Sequence, residues 1–361
     1  MSAPRVAARV AAIVVAWQAV DDLPACLASL DAQDHDALEV VVVDNASTDG
    51  TAEVLDTALA VPRCHPLRVR VNPTNRGFAG GVNDGLALLD PEVAVVVLVN
   101  PDARLAPDLV GRGVAALLAD PYRGSVQPKV RRAVPAPDGR PVLDTTGHVL
   151  TRARLLRNRG EGAIDDGRHD VPGEVFGVSG AVALHRRAML TDVAWRGSHV
   201  TGQVLTEELF AYFDDVDLDW RARLLGWSAW YEPAALAWHV RGGAGPRRSA
   251  AVEALNWSNR LLVLATCDDG RALLRAAPVV LATTTLKTVE LAVTVPRAVW
   301  PALRRLALLP AALRRRRELL GRARVSPAEV VARWVVPFSW RAWVGTWWRR
   351  VTGRSLGVTR R

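Results

Sequence analysis

The sequence has few cysteines, and none of them are paired in a metal-binding or redox spacing. Only three occur in the 361 residues, Cys26, Cys64 and Cys267, and they lie far apart without a C-x-x-C motif. This pattern excludes a disulfide-stapled scaffold and a cysteine-rich zinc site. It is typical of a protein in a reducing compartment, so we expect a cytoplasmic location.

Long uncharged apolar runs are also missing. The longest candidates, residues 10–20 and 276–286, have 11 residues each, whereas a membrane-spanning helix needs about 20. The sequence therefore predicts no membrane span. The first of these runs follows two arginines, as in a secretory signal, but Asp21 and Asp22 come directly after it without a clear cleavage site. We interpret it as a buried first strand.

The composition excludes a wholly disordered chain, because half of the residues are apolar and 23% are charged. The length predicts about two domains. The net charge of +9 is unevenly distributed: residues 301–361 hold 15 Arg, no Lys and two acidic residues, a net charge of +13. The remainder of the chain is mildly acidic. A basic segment on an acidic body favours contact with nucleic acid or with an anionic membrane surface.

The first 130 residues alternate short apolar runs with helical patterns. Strands are predicted at residues 11–17, 39–43, 67–71 and 93–99. Alternation with helices predicts a parallel sheet with right-handed crossovers, and the valine-rich runs predict strands buried on both faces.

The later part of the chain has a different character. Residues 131–175, rich in Arg, Pro, Gly and Asp, predict a long connection, and Arg-rich helices interrupted by proline follow residue 267. We therefore predict one domain at residues 1–266 and a basic, helical, membrane-associating region at residues 267–361.

Three polar clusters follow predicted strands, at residues 44–49, 72–81 and 100–102. Ligands of parallel sheets bind at the carboxyl ends of the strands, so these clusters are expected to meet. Asp44 could accept the imide N–H of uracil or thymine, the glycines of the second cluster could admit a diphosphate, and Asp102 suits a hard divalent cation. Each cluster alone also fits an ordinary turn, and the glycine-rich one is neither a P-loop nor a dinucleotide fingerprint.

The most informative segment is residues 207–227. Asp214, Asp215, Asp217 and Asp219 lie within six residues at a predicted amphipathic helix, and their mutual repulsion is costly unless a cation or a reaction uses them. The aromatic residues just before them could wall a sugar-sized pocket. A capped surface helix with solvated acids is the alternative. His239 is a candidate metal ligand, although a lone histidine is more often structural.

Taken in order, these motifs resemble those of family 2 glycosyltransferases with the GT-A fold. The matching stretches, over about residues 1–265, are VDNASTDGT, N-x-x-N-x-G-F-A-x-G-x-N-x-G, NPD, G-x-x-G-A, F-x-Y-x-D-D-x-D-L-x-x-R and H-x-x-G. Within the family the chain is most similar to rhamnosyltransferase-like members of bacterial cell-wall and O-antigen assembly. The resemblance implies an α/β fold, with a Rossmann-like, mostly parallel sheet flanked by helices, and here a C-terminal helical extension rich in Arg and Trp.

The resemblance implies an inverting glycosyltransferase that moves a sugar such as rhamnose from a dTDP- or UDP-sugar to a lipid-linked or polysaccharide acceptor. Carried over by position, the nucleotide-sugar site would comprise Asp44, Asn75, Gly77, Asn83, Asn100 and Asp102. The acceptor side would be bordered by Gly180 and Ala181. The catalytic base would be Asp215 with Asp214 beside it, and Mg²⁺ or Mn²⁺ would be held by Asp102 and His239.

Two residues depart from the family pattern. Asn100 occupies the first position of the metal-binding D-x-D motif, which leaves the strictness of metal dependence open. Asp214 replaces the usual glutamate of the E-D pair, which leaves open whether it or Asp215 is the base.

The basic region carries a stripe of apolar residues at helical spacing: Trp340, Trp343, Val344, Trp347 and Val351. With its flanking arginines this stripe fits a membrane interface, at the inner face of the plasma membrane. The alternative is packing against the body. Two other classes of function remain: a catalytically silent nucleotide-sugar-binding module, and a nucleic-acid-binding protein acting through the Arg-rich tail. No nucleic-acid-binding signature accompanies that tail, so no nucleic-acid partner is expected.

Overall fold

The computed structural model describes residues 8–197, 202–241 and 249–352. It divides into two compact units. The first comprises Met1–His148 and Asn158–Gly245, and the second comprises Val149–Arg157 and Pro246–Arg361. The boundary predicted after residue 266 lies within the second unit and stays a prediction.

Strands and helices alternate over most of the first 130 residues, as predicted, and a series of short strands follows before the next helix. The strands are β1 (Val10–Ala16), β2 (Leu38–Asp44), β3 (Leu67–Val71), β4 (Val95–Val99), β5 (Ala103–Leu105), β6 (Arg123–Arg132), β7 (Leu143–Thr145), β8 (His148–Thr151), β9 (Leu156–Asn158), β10 (Gly173–Val175), β11 (Val182–Arg186) and β12 (Ser228–His239). The helices are α1 (Leu23–Asp31), α2 (Thr51–Ala60), α3 (Gly77–Ala87), α4 (Leu109–Leu118), α5 (Arg187–Val193) and α6 (Asp214–Leu224), with a short 3₁₀ turn at Glu207–Leu209.

The central sheet confirms the predicted fold class. Among the described residues, ten strands form one mixed sheet in the order β10-β12-β6-β11-β4-β1-β2-β3, with β5 on β12 and β7 on β6. The pairs β1–β2, β1–β4, β2–β3 and β6–β12 are parallel. β1 and β4 are buried along their whole length, as valine-rich parallel strands are. The carboxyl ends of β1, β2, β3 and β4 therefore lie at one edge of the sheet.

Two local predictions are corrected by the structure. Residues 131–175 are not an unstructured connection, because they contain short strands, of which β7 and β10 pair with β6 and β12. Helix α6 is not amphipathic, because nearly all of its residues are buried. The charges that suggested a solvent face are paired inside the protein: Arg221 bonds to Asp217 at 2.9 Å, and Arg223 binds Glu174 and backbone carbonyl groups.

The second unit is helical. It contains α7 (Ala250–Cys267), α8 (Gly270–Thr294), α9 (Val299–Arg304), α10 (Leu309–Arg322), α11 (Pro327–Trp334), β13 (Val335–Val336) and α12 (Trp340–Thr352), with 3₁₀ turns at Pro296–Ala298 and Arg305–Leu308. Its core includes Ala254 and Trp257 of α7, Leu291 of α8, and Ala298 and Ala302.

Helix α8 differs from the expectation that no membrane span would be found. Its 25 residues are long and apolar enough to cross a membrane, by length and composition only. The count of uncharged runs missed this helix because Lys287 and Glu290 interrupt it. In the structure these two side chains pair with each other at 2.8 Å, and Lys287 also pairs with Glu253.

The tryptophan stripe lies on α12, as predicted, and is partly packed within the second unit. The indole N–H of Trp347 donates to the carbonyl oxygen of Leu286 in α8 at 2.8 Å. Trp340 and Trp343 stack edge-on with their ring centroids 5.9 Å apart, and Trp340 and Val344 remain exposed. Part of the stripe is therefore left for solvent or a partner.

Candidate active site

The first two polar clusters meet at the edge of the sheet. Asp44 ends β2, is almost fully buried, and accepts hydrogen bonds from the backbone N–H and the hydroxyl of Ser47, at 3.2 and 2.6 Å. The next residue, Asn45, donates to the carbonyl oxygen of Gly77 at 2.8 Å and accepts from Asn72 at 2.9 Å. These bonds join the ends of β2 and β3 to the start of α3.

The start of α3 requires glycine. Gly77 has a φ of +70°, and a Cβ there would lie 2.3 Å from the carbonyl oxygen of Phe210. A Cβ at Gly81 would lie 2.5 Å from Val15 of β1. Asn75 fixes the turn by accepting the backbone N–H of Gly77 at 2.8 Å. The glycines therefore let α3 approach both β1 and the segment before α6.

Asn83 lies on α3, and its side-chain amide makes hydrogen bonds to the segment that precedes α6. It donates to the carbonyl oxygen of Leu205 at 2.9 Å and to Glu207 at 3.1 Å. Its oxygen accepts the backbone N–H groups of Val204 and Leu205, each at 3.0 Å. The structure thus places Asn83 as a support of the segment that leads into α6.

The third cluster brings a carboxylate and an imidazole together. Asp102 follows β4 and Asn100, and its Oδ1 lies 3.0 Å from Nε2 of His239. The antiparallel pairing of β12 with β5 sets this contact, because His239 is registered with Ala103. Burial opposes charge on His239, but its hydrogen bonds to Asp102 and to Asp144 prevail and raise the pKa of the imidazole to about 9.

Asp102 and His239 could hold a divalent cation in place of the proton that their side chains share, because a metal-ligating nitrogen carries no proton. A carboxylate oxygen and an imidazole nitrogen are ligands that Mn²⁺ accepts. Nδ1 of His239 lies 2.8 Å from Asp144, an arrangement that orients metal-ligating histidines. Within the described ranges no group of three His, Cys, Asp or Glu residues is placed to hold an ion. The remaining ligands would therefore come from a bound diphosphate and water.

The two aspartates at the start of α6 lie in different environments. The side chain of Asp215 is 26% exposed, whereas Asp214 is only 4% exposed. Burial, reinforced by the neighbouring charge of Asp215, raises the pKa of Asp214 well above its ordinary value. Oδ2 of Asp215 accepts the backbone N–H of Gly180 at 3.1 Å. The environment of Asp214 therefore favours its neutral form, and Asp215 is the carboxyl group that reaches the surface.

The loop before β11 links the two sides of the site. Gly180 binds Asp215, and the carbonyl oxygen of the next residue, Ala181, accepts the backbone N–H of Asn100 at 2.9 Å. The predicted acceptor-side residues therefore lie between the end of β4 and the start of α6.

The aromatic segment before α6 has unusual backbone geometry. Phe210, Tyr212 and Phe213 have φ values of +66°, +66° and +65°, a conformation that costs roughly 1–2 kcal/mol for each residue with a side chain. The carbonyl oxygen of Phe210 accepts the backbone N–H of Ala79 at 3.1 Å, and Phe210 and Tyr212 are exposed. Strained segments of this kind concentrate at functional sites.

Sequence reasoning missed Asp144 and His148, which both come from the segment predicted to be a connection. His148 is buried, with Nδ1 2.8 Å from Asp219 and Nε2 3.6 Å from Asp215. Their one sequence signal is an acid and a histidine inside an otherwise apolar and small-residue stretch, VLDTTGHVL.

Comparison with known proteins gives a family and a fold. Residues 11–190 match the family model described as glycosyl transferase family 2. The chain is 28% identical over 280 residues to the N-acetylglucosaminyl-diphospho-decaprenol L-rhamnosyltransferase of Mycobacterium tuberculosis, covering 72% of this chain and 84% of that protein.

Among solved structures, GalNAc-T7 with UDP, GalNAc and Mn²⁺ superposes with a TM-score of 0.61 at 12% identity, covering 91% of this chain and 57% of that one. The mannosyltransferase PcManGT from Pyrobaculum calidifontis, in complex with GDP-Man and Mn²⁺, superposes with a TM-score of 0.51 at 20% identity, covering 88% and 86%. At these identities the likeness shows a shared fold.

Proposed function

This chain belongs to glycosyl transferase family 2 through residues 11–190, and from that premise we propose that it transfers a sugar with inversion from a nucleoside diphosphate to a lipid-linked acceptor in cell-envelope glycan synthesis. One observation carries the proposal. The loop at Gly180 and Ala181 binds the carboxylate of Asp215 on one side and the backbone of Asn100 on the other. The same two-residue backbone segment therefore contacts both the candidate base and the candidate diphosphate site.

The donor is proposed to be dTDP-rhamnose or a related dTDP- or UDP-sugar. Asp44, at the end of β2, has the hydrogen-bond acceptors that the imide N–H of thymine or uracil requires. The 28% identical relative is named as an L-rhamnosyltransferase acting on N-acetylglucosaminyl-diphospho-decaprenol, which supports rhamnose and a polyprenyl-diphosphate acceptor. Asn75 and Gly77 would shape the donor side of the cleft, with Asn83 supporting its wall.

The reaction would proceed by a single displacement. The acceptor hydroxyl oxygen attacks the anomeric carbon and passes its proton to the carboxylate of Asp215, while the bond from that carbon to the diphosphate oxygen breaks. Mg²⁺ or Mn²⁺, when bound by Asp102 and His239, would supply positive charge to the departing diphosphate. The raised pKa of Asp214 favours its neutral form, which would reduce repulsion between the two neighbouring carboxyl groups.

The second unit is proposed to attach the enzyme to the inner face of the plasma membrane. One face of α8 carries exposed apolar side chains, Leu274, Leu281, Val289 and Val293. Arginines stand near both ends of α8, and an apolar helix face with flanking cations fits an anionic lipid surface. Leu291 packs into the helical core of this unit, which favours a helix lying on the membrane over one crossing it.

The experiment is a transfer assay with the full chain. A panel of dTDP- and UDP-sugars is offered with N-acetylglucosaminyl-diphospho-polyprenol, and the product linkage is read by NMR. We expect one donor to be consumed with inversion at the anomeric carbon. Donor binding without turnover across the panel would instead support the silent binding module and would overturn the proposal.

A further inference from the structure

A buried histidine lies between two carboxylates of α6. Nδ1 of His148 is 2.8 Å from Oδ2 of Asp219, and Nε2 is 3.6 Å from Oδ2 of Asp215. Asp215 and Asp219 are four residues apart, so they share one face of the helix. The imidazole therefore bridges the candidate base and a second, fully enclosed acid.

The bridge is held rigidly by the loop that precedes β11. The backbone N–H of Val178 donates to both oxygens of Asp219, at 3.0 Å each. The backbone N–H of His148 donates to the carbonyl oxygen of Gly177 at 2.9 Å. Position 177 admits no side chain, because a Cβ there would lie 1.8 Å from Asp219. With both of its oxygens fixed, Asp219 orients the imidazole so that Nε2 points towards Asp215.

We propose that His148, oriented by Asp219, is a positioning residue that holds the carboxylate of Asp215 in place to receive the acceptor proton. The inference rests on the proposed function, since it takes Asp215 as the base. Nothing in the sequence motifs assigned a role to His148 or to Asp219.

The carboxyl groups around the ring favour its protonated form. Burial opposes its charge, but Asp215, Asp219 and Asp214 face it and together raise the pKa of His148. Burial also raises the pKa of Asp219, to about 6, against the effect of His148. The imidazole and Asp219 therefore each favour the charged form of the other. The positive charge offsets the repulsion that Asp219 would otherwise exert on Asp215.

The test is the pH dependence of turnover in His148→Gln and His148→Asn. An opposite charge within about 4–6 Å lowers the pKa of an acid by about 1–3 units, so its loss should move the acidic limb of the kcat profile upward by about 1 unit or more. Turnover should fall most at low pH and recover as the pH rises, with donor KM unchanged. His65→Asn is the matched control, because His65 is similarly buried but its ring hydrogen-bonds to the backbone carbonyl of Gln33 and to no carboxylate in the described contacts.

The outcomes separate this inference from the proposed function. A uniform loss of kcat at every pH, with the acidic limb unmoved, would show a merely structural His148 and overturn the inference. If Asp215→Asn keeps full turnover, the assignment of the base fails instead. Should both His148 variants fail to fold by circular dichroism, NMR of the wild-type imidazole decides: a doubly protonated ring at the pH of turnover supports the proposal, and a neutral ring refutes it.

Discussion

The two aspartates that begin α6 allow a sharp test, because a single carboxyl-to-amide change can be made at either without altering its shape. We expect Asp215→Asn to lower kcat by about 10²–10⁴-fold, the usual contribution of a general base, which corresponds to roughly 3–5 kcal/mol in the activation barrier. Asp214→Asn should stay within about threefold of wild type, because burial raises the pKa of Asp214 and so favours a neutral form that the amide resembles.

The raised pKa of Asp214 also predicts how the stability of the protein depends on pH. The pKa of Asp214 is raised in the folded state, so folding is favoured while the group is protonated, and stability falls as the pH rises above its unfolded value of about 3.9. Replacing Asp214 with Asn removes that loss. The variant should therefore be at least as stable as wild type at pH 7, with a flatter dependence of unfolding free energy on pH above about 4.

Turnover is measured with saturating donor and acceptor, and donor binding by thermal shift serves as the control for an intact site. Asp215→Asn should still bind donor. If Asp214→Asn is the inactive variant and Asp215→Asn the active one, the roles are exchanged. If neither substitution lowers kcat by tenfold, the argument from their environments is refuted.

Gly77→Ala should lower the free energy of unfolding by about 2–5 kcal/mol, through left-handed backbone strain and a clash with the backbone. Gly139 also has a positive φ, +79°, but a Cβ there meets open space, so Gly139→Ala should lower it by only about 1–2 kcal/mol. Equal urea midpoints for the two variants would contradict this. Asp102→Ala should weaken donor and Mn²⁺ binding together in calorimetry, and full wild-type turnover in EDTA would remove the role proposed for the cation. Leu281→Asp should reduce sedimentation with anionic vesicles by tenfold or more. Leu59 is an exposed helical leucine of the first unit, and Leu59→Asp should leave sedimentation unchanged. Equal sedimentation of the two variants would contradict the assignment of the exposed face of α8 to the membrane.

Much of the sheet and its active edge was predictable from local sequence. Runs such as residues 39–43 and 93–99 are so uniformly β-branched that they can only be buried strands, and polar clusters directly after them must lie at one edge. The predicted strand at residues 67–71 coincides with β3. Local pattern was sufficient for β2 and β4 because their apolar residues are buried, and it also located β3, whose residues are half-buried or exposed.

The rest depended on partners distant in sequence. Asp144 and His148 reach the site because β7 pairs with β6 and because Asp219 binds the imidazole across 71 residues. Helix α6 looked amphipathic because Arg221 and the aspartates are charged, and only their mutual pairing allows them to be buried. The partner of Arg221 lies in the same helix, but the partners of Arg223 and Asp219 are Glu174 and His148, which no periodicity within the helix reports.

The loop from residue 177 to residue 181 shows how donor and base geometry come to be set together. Its backbone N–H groups bind both carboxylates of one face of α6, Asp219 through Val178 and Asp215 through Gly180. Its last carbonyl group binds the backbone of Asn100, two residues before Asp102. Backbone donors and acceptors have no rotamers to choose between, so these contacts leave little freedom in the spacing from the end of β4 to the start of α6. A displacement that needs the acceptor oxygen between a base and a departing diphosphate depends on that spacing. Gly177 is therefore explained by geometry, because a side chain at this position would displace Asp219 and, through it, the imidazole that faces the base.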